Sequence, residues 1–229
     1  MEETKRVKSE VVRYIPWTNE RENPAWFNHP LDCFLVRFEE DEGQSAAEGT
    51  SENSKLVMFC SKGSDLWQKT CYGFERDSGH AFLGTRLEQG RAIQVGFSVV
   101  SFKGQFDQGG VLIRENANSW LKAGVELSDG VLQLSAVHTR HGMSDWSTSA
   151  WPSEWKGKEN VLVQVSRVND SMIIRIKLME DNDPWRLLRV CPISLEAPLL
   201  VGPYSCAPTR DGLYVEFLRY VECEATPLH

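Results

Sequence analysis

Along most of the chain apolar and polar residues alternate in short runs, separated by clusters of Gly, Asp, Asn and Ser. Side chains on a strand point to opposite faces in turn, so this period predicts half-buried strands. The runs are Leu31–Phe38, Leu56–Cys60, His80–Thr85, Ala92–Phe102, Gly110–Arg114, Trp120–Leu127, Val131–Thr139, Val161–Val168, Met172–Leu178, Arg186–Val190, Leu199–Pro203 and Leu213–Val221. Ser128-Asp129-Gly130, Asn169-Asp170-Ser171 and Arg210-Asp211-Gly212 carry the positive-φ or Asx chemistry of tight hairpins. No stretch holds a helical period for the roughly 10–12 residues a helix needs. About a dozen evenly spaced strands predict an all-β fold, a two-sheet antiparallel sandwich of jelly-roll type with few or no helices. The chain shows no internal repeat, which argues against a propeller.

Two segments break the pattern. Residues 1–30, with Pro16, Trp17, Pro24, Trp26 and Pro30, predict an irregular arm pinned by its aromatic rings. Residues 39–54 are acidic and rich in Gly, Ser and Ala, without a large apolar side chain. Such a segment buries too little surface to offset its ordering entropy, which predicts a mobile loop. With only a short piece before it, the loop reads as an insertion within one domain spanning 1–229.

The strand Trp120–Leu127 says most about function. Leu121, Ala123, Val125 and Leu127 share one face; Trp120, Lys122, Gly124 and Glu126 share the other. The Asp129-Gly130 turn returns the chain so that Gln133, Ser135 and Thr139 fall beside Lys122 and Glu126. The missing side chain at Gly124 predicts a hollow between the two charges. One reading is a groove for a polar, ring-shaped ligand. The other is a cross-strand Lys–Glu pair on an exposed sheet, with Trp120 packed under a loop. Two further stretches, Asp107-Gln108-Gly109-Gly110 before Val111–Arg114 and Ser144-Asp145-Trp146-Ser147 after Val131–Thr139, read as loops at the ends of this hairpin. They offer Asp107, Gln108, Arg114, Asp145 and Trp146 as further ligand contacts.

Composition narrows the partners. Eight tryptophans in 229 residues are more than a core needs, so some rings are expected at the rim of a cleft. A net charge of −7 without a basic stripe argues against nucleic acid. No leader-like or bilayer-spanning apolar run occurs, which predicts a soluble, cytoplasmic protein with no membrane partner. The six cysteines show no CxxC spacing and are expected to be reduced and mostly buried, without zinc.

Several motifs together resemble a known family. Ser64-Asp65-Leu66-Trp67-Gln68-Lys69-Thr70-Cys71-Tyr72-Gly73-Phe74 with Asp77-Ser78-Gly79-His80 is similar to its N-terminal signature. Asp107-Gln108-Gly109-Gly110, Leu112-Ile113-Arg114, Trp120 to Glu126 and Ser144 to Ser147 are similar to its central ones. The family is a concanavalin A-like, lectin/glucanase-type domain of unknown function, typified by the yeast regulator-of-enolase protein. The resemblance runs from about Trp17 to the end of the chain and implies a lectin-like sandwich. It adds His80 as a residue that either reaches the groove or satisfies a turn, and a metabolic enzyme as a partner. The segment 39–54 is an insertion relative to the family pattern.

Catalytic signatures are sparse. Glucanases of this sandwich type place acids as Glu-x-Asp-x-Glu on one strand; here Lys122 and Gly124 stand in that register. Glu126 with Asp107 or Asp145 is the remaining candidate acid–base pair. His138 and His141, three apart, fall on opposite faces of a strand and make a weak metal signal. The chain has no phosphate loop, dinucleotide fingerprint or nucleophile elbow, so no cofactor is expected. The sequence therefore points first to a non-catalytic binding module for a carbohydrate or similar small polar ligand. An enzyme on small carbohydrates and a regulator that binds a metabolic enzyme are the alternatives.

Overall fold

The computed structural model describes residues 13–18, 20–37, 54–180, 182–194, 196 and 198–228. The strands in chain order are β1 (Arg13–Tyr14), β2 (Trp26–Phe27), β3 (Asp32–Arg37), β4 (Ser54–Phe59), β5 (Leu66–Gln68), β6 (Glu75–Asp77), β7 (His80–Phe82), β8 (Thr85–Arg86) and β9 (Arg91–Ser98). They continue as β10 (Gln108–Asn116), β11 (Ser119–Ser128), β12 (Val131–Arg140), β13 (Met143–Ala150), β14 (Asn160–Val168), β15 (Ser171–Leu178), β16 (Arg186–Pro192), β17 (Leu200–Cys206) and β18 (Tyr214–Glu224). Among the described residues there is no α-helix, only the 3-10 turn Ser153–Trp155.

Two large sheets form the sandwich, and every paired strand in them is antiparallel. The first runs β16-β15-β14-β9-β18-β4-β3, with β1 added on β18. The second runs β13-β12-β11-β10-β17-β7-β2, with β8 added on β17. Alternation builds the core between them. Ile93, Val95, Phe97, Val163, Val215 and Phe217 face inward from the first sheet. Val111, Ile113, Leu121, Ala123, Val125 and Leu134 answer from the second. These side chains are nearly all inaccessible to water, which accounts for most of the apolar driving force.

The arm is pinned where the sequence places its rings. Trp17 stacks on Tyr220 at 5.3 Å, and Trp26 meets Phe82 at 5.1 Å. The predicted acidic loop lies outside the described residues except for Ser54, which opens β4. All six cysteines are free thiols, five buried and Cys71 exposed.

Two regions differ from the sequence expectation. Met143–Ala150, read as a loop around Asp145 and Trp146, is an edge strand along β12. Most of its residues stay in contact with water, so nothing imposes an apolar–polar alternation on it. Leu66–Gln68 and Glu75–Asp77 pair as a small hairpin of their own, too short for a periodic signal. This hairpin lies over the outer face of the second sheet. There Leu66 and Trp67 join Leu112, Trp120, Val137 and Tyr204 in a second apolar cluster.

Candidate functional site: an aromatic cleft over a buried lysine network

Strand register sets the floor of the site. On the outer face of the second sheet, Gln108 lies opposite Glu126, and Lys122 stands between Leu112 and Val137. Val137 in turn pairs with Trp146 on β13. Ser135 lies opposite Gly124, one row closer to Glu126. Gly124 opens no hollow, contrary to the sequence expectation. A Cβ there would come within 2.1 Å of the Gly109 carbonyl oxygen, so the position needs glycine for close backbone approach.

The β5–β6 hairpin roofs this floor and supplies Asp65. Lys122 Nζ donates to Gln108 Oε1 at 2.7 Å and lies 3.3 Å from Asp65 Oδ1. Asp65 Oδ1 also accepts from the Leu66 amide at 2.8 Å and from Gln108 Nε2 at 3.4 Å. On the other side, Trp146 Nε1 donates to Ser135 Oγ at 3.0 Å, and Ser135 Oγ donates to Glu126 Oε2 at 2.9 Å. Gln108, Lys122 and Glu126 are 1 %, 4 % and 6 % exposed, so the floor is a polar network drawn out of water.

Its electrostatics follow from that burial. Burial pulls the Lys122 ammonium down, but Asp65 foremost, then Cys206 and Glu126, outweigh it and leave the group above its ordinary value. For Glu126 burial wins: the carboxyl is pushed up despite Lys122 and the Ser135 hydrogen bond. The lysine is thereby kept charged, while the glutamate is brought closer to binding a proton at neutral pH.

Above the floor opens a cleft of about 430 Å³ with Trp67, Tyr72, Phe74, Phe106 and Trp146 in its walls. Asp65, Gln108, Lys122 and Glu126 all border it. Tyr72 and Phe74 stack at 5.5 Å, and Arg76 lies over Phe74 at 4.9 Å. Phe106 meets Trp146 edge-on at 6.4 Å on the opposite wall. The loop that carries Tyr72 has Lys69, Cys71 and Gly73 at positive φ, and Phe106 too adopts φ 65°.

Of the residues singled out from sequence, Gln108, Lys122, Glu126 and Trp146 meet in the cleft. The others do not border it. Asp107 is fully buried, caps the Lys103 and Gly104 amides and pairs with Arg210 at 2.6 Å. Arg114 forms a two-pronged pair with Asp77 and lies over the Phe27 ring at 4.1 Å. Asp145 points to the other face of β13, where Arg189 holds it at 2.8 Å. Trp120 is 3 % exposed and packs beneath the hairpin, as the plainer reading of that strand had it. His80 satisfies a turn, bridging the Asn28 carbonyl and the Ser61 amide, with burial holding its imidazole below the ordinary value.

Sequence reasoning missed Asp65, Trp67, Tyr72, Phe74 and Phe106 as site residues. The first four lie within the N-terminal signature motif, whose concentration of aromatic residues was the available signal. Among the described residues no three His, Cys, Asp or Glu side chains cluster as a metal would need. No helix among them is long and apolar enough to cross a membrane.

Comparison with known proteins places this geometry in a family. The model of a family described as "Protein of unknown function (DUF1349)" matches residues 44–224. A Saccharomyces cerevisiae protein named Regulation of enolase protein 1 is 38% identical over 194 residues, which are 84% of this chain and 85% of that protein. The crystal structure of a functionally unknown protein from Saccharomyces cerevisiae superposes with a TM-score of 0.71 at 31% identity, covering 88% of this chain and 96% of that one. A xylan beta-1,4-xylosidase from Bacillus Halodurans C-125 shares the fold alone. It superposes with a TM-score of 0.55 at 12% identity over 74% of this chain and 33% of its own.

Proposed function

This chain belongs to the DUF1349 family, and for it we propose a binding module that takes a small carbohydrate in the aromatic cleft, without turning it over. The observation that carries this reading is the pairing of five aromatic walls with a polar floor whose hydrogen-bonding capacity is unfilled. Lys122 Nζ has three N–H donors and, among the described residues, two acceptors, which leaves one donor for a ligand. Among the described residues Glu126 Oε2 takes the Ser135 hydroxyl, while Oε1 has no hydrogen-bond partner. A sugar ring offers an apolar C–H face to the walls and hydroxyls that both donate and accept to the floor. Lys122 and Arg76 face Asp65 and Glu126 around the cleft, a balance of charge that suits an uncharged ring.

The test is titration calorimetry with mono- and disaccharides, guided by a glycan array. Trp146→Ala is expected to weaken binding by about 2 kcal/mol, roughly thirtyfold in Kd. A flat array together with flat titrations would overturn the reading.

A catalytic version draws on one observation. Asp65 and Glu126 are two carboxyl groups bordering one cleft, and burial raises the second, as a general acid requires. Asp107 and Asp145, the partners expected from sequence, are tied to Arg210 and Arg189 instead. Release of sugar from a glycoside, abolished by Glu126→Gln, would favour hydrolysis over simple binding.

We further propose a regulatory role in the cytoplasm, in which ligand occupancy governs contact with a metabolic enzyme. The name of the yeast relative supports it. Pull-down of a glycolytic enzyme that depends on sugar and on Trp146 is the corresponding test.

A further inference from the structure

A second hollow shares no lining residue with the aromatic cleft, though the two meet adjacent residues of β11 and β12. Its volume is about 520 Å³, and it opens between the ends of β10, β11 and β12 in one sheet and of β15 and β16 in the other. Its bottom is formed by core side chains, Ile113, Leu121, Met172 and Leu199, all 1–3 % exposed. The hollow opens to solvent, with this apolar bottom beneath a polar rim that includes Asn116, Asn118, Arg140 and His141, a shape that suits an amphiphilic guest.

Among its polar side chains, one comes from an inward-facing row. On β12 the inward alternation runs Leu134, Ala136, His138, and at the third position an imidazole replaces the expected aliphatic residue. His138 is only 9 % exposed, and among the described residues neither ring nitrogen has a hydrogen-bond partner. Neither nitrogen is sealed from water, so the ring presents an open hydrogen-bonding position to the hollow.

The local field favours an anion there. Burial first, then Arg189 and Arg140, hold the His138 imidazole down at about 4, against a weaker opposite pull from Asp145. The ring is therefore neutral and able to donate, in a positive potential. Arg189 is engaged with Asp145 and Ser147, whereas exposed Arg140 lines the mouth and makes no ion pair among the described residues. Glu115 also lines this hollow, beside Asn116, Asn118 and His141.

We propose that this hollow is a second binding site, one that takes the alkyl chain of a small monocarboxylic acid and holds its carboxylate on His138 and Arg140. The site is independent of the carbohydrate cleft and stands or falls separately from it.

Titration calorimetry of the full chain with octanoate tests the assignment. Saturable, one-to-one binding is expected. His138→Leu should weaken it by about tenfold or more with the melting temperature little changed. Arg140→Gln, a surface change, should weaken it several-fold, and Trp146→Ala should leave it unchanged. Should His138→Leu not fold, the His138 ring resonances in NMR replace it, with an octanoate-dependent shift expected. Absence of saturable binding would overturn the proposal. So would wild-type affinity in both variants, unmoved His138 resonances, or loss of octanoate binding in Trp146→Ala.

Discussion

The outer faces of the two sheets obey the same alternation, yet they have become different materials. On the first sheet the outward charges stay near water as ordinary surface pairs. Lys55 meets Glu216 at 2.9 Å with its side chain 23% exposed. On the second sheet Lys122 and Glu126 occupy equivalent outward positions, but the β5–β6 hairpin and the turn before β10 cover them. Lys122 is left 4% exposed. Polar residues that would be solvated side chains elsewhere have thus become the floor of a site. What separates the two faces is a short hairpin that packs over one of them, and not the strand pattern.

The sharpest way to break this contrast is to remove one lysine from each face. Lys122→Met strands Asp65 and Glu126 without their cation and should cost about 3–5 kcal/mol. Lys55→Met should cost less than about 1 kcal/mol. Urea unfolding of both variants checks this, and equal losses would show that cover makes no difference.

A weaker but more diagnostic contrast lies in pH. Burial raises Glu126 in the folded state, so its stabilising contribution is present below the unfolded value and is lost as pH rises through the folded one. For Glu222 burial also raises the carboxyl, but hydrogen bonds from Arg91 and Arg13 outweigh it and set the group low. Its contribution is present above the unfolded value and is lost as pH falls through the folded one. Glu126→Gln should therefore remove a loss of stability that sets in as pH rises above the ordinary carboxylate value, and Glu222→Gln one that sets in as pH falls below it. Effects on the same side for both would contradict the assigned shifts.

The smallest expected effect separates wall from floor. Tyr72 is 57% exposed, so Tyr72→Ala should change unfolding stability by no more than about 0.5 kcal/mol while still weakening sugar binding.

These contrasts also explain what could be read without coordinates. Inward positions such as Val125 and Val163 declare themselves, because a sheet with one apolar face imposes a period of two. The outward row of β11 was legible as far as Lys122 and Glu126. Their partner Asp65 was not, because it lies 57 residues away in sequence from Lys122 and enters through a three-residue strand. Asp107, Arg114 and Asp145 have the chemistry of ligand contacts. Each is claimed by an arginine or aspartate brought near only by the folded chain, and local sequence carries no sign of such long-range competition. The edge strand β13 escaped notice for a related reason: with water on most of its residues, Thr and Ser serve as well as alternation.

Gly79 is where the hairpin rejoins the sheet. A Cβ at this position would come within 2.7 Å of Cys206 Sγ and Leu66 Cγ, so the return to β7 works only without a side chain. The hairpin's own ladder ends with β5 and β6; it meets the sheet through packed side chains and through bonds such as Gln68 N to Ser144 Oγ, 2.9 Å. It can therefore open as a unit without unzipping any strand of the sandwich. In hydrogen exchange the amides of 66–77 should trade with solvent well before those of β11, reporting a free energy of their own. A chain built this way can vary what it recognises in one small appendage, while the scaffold that keeps it folded accumulates changes on a separate clock.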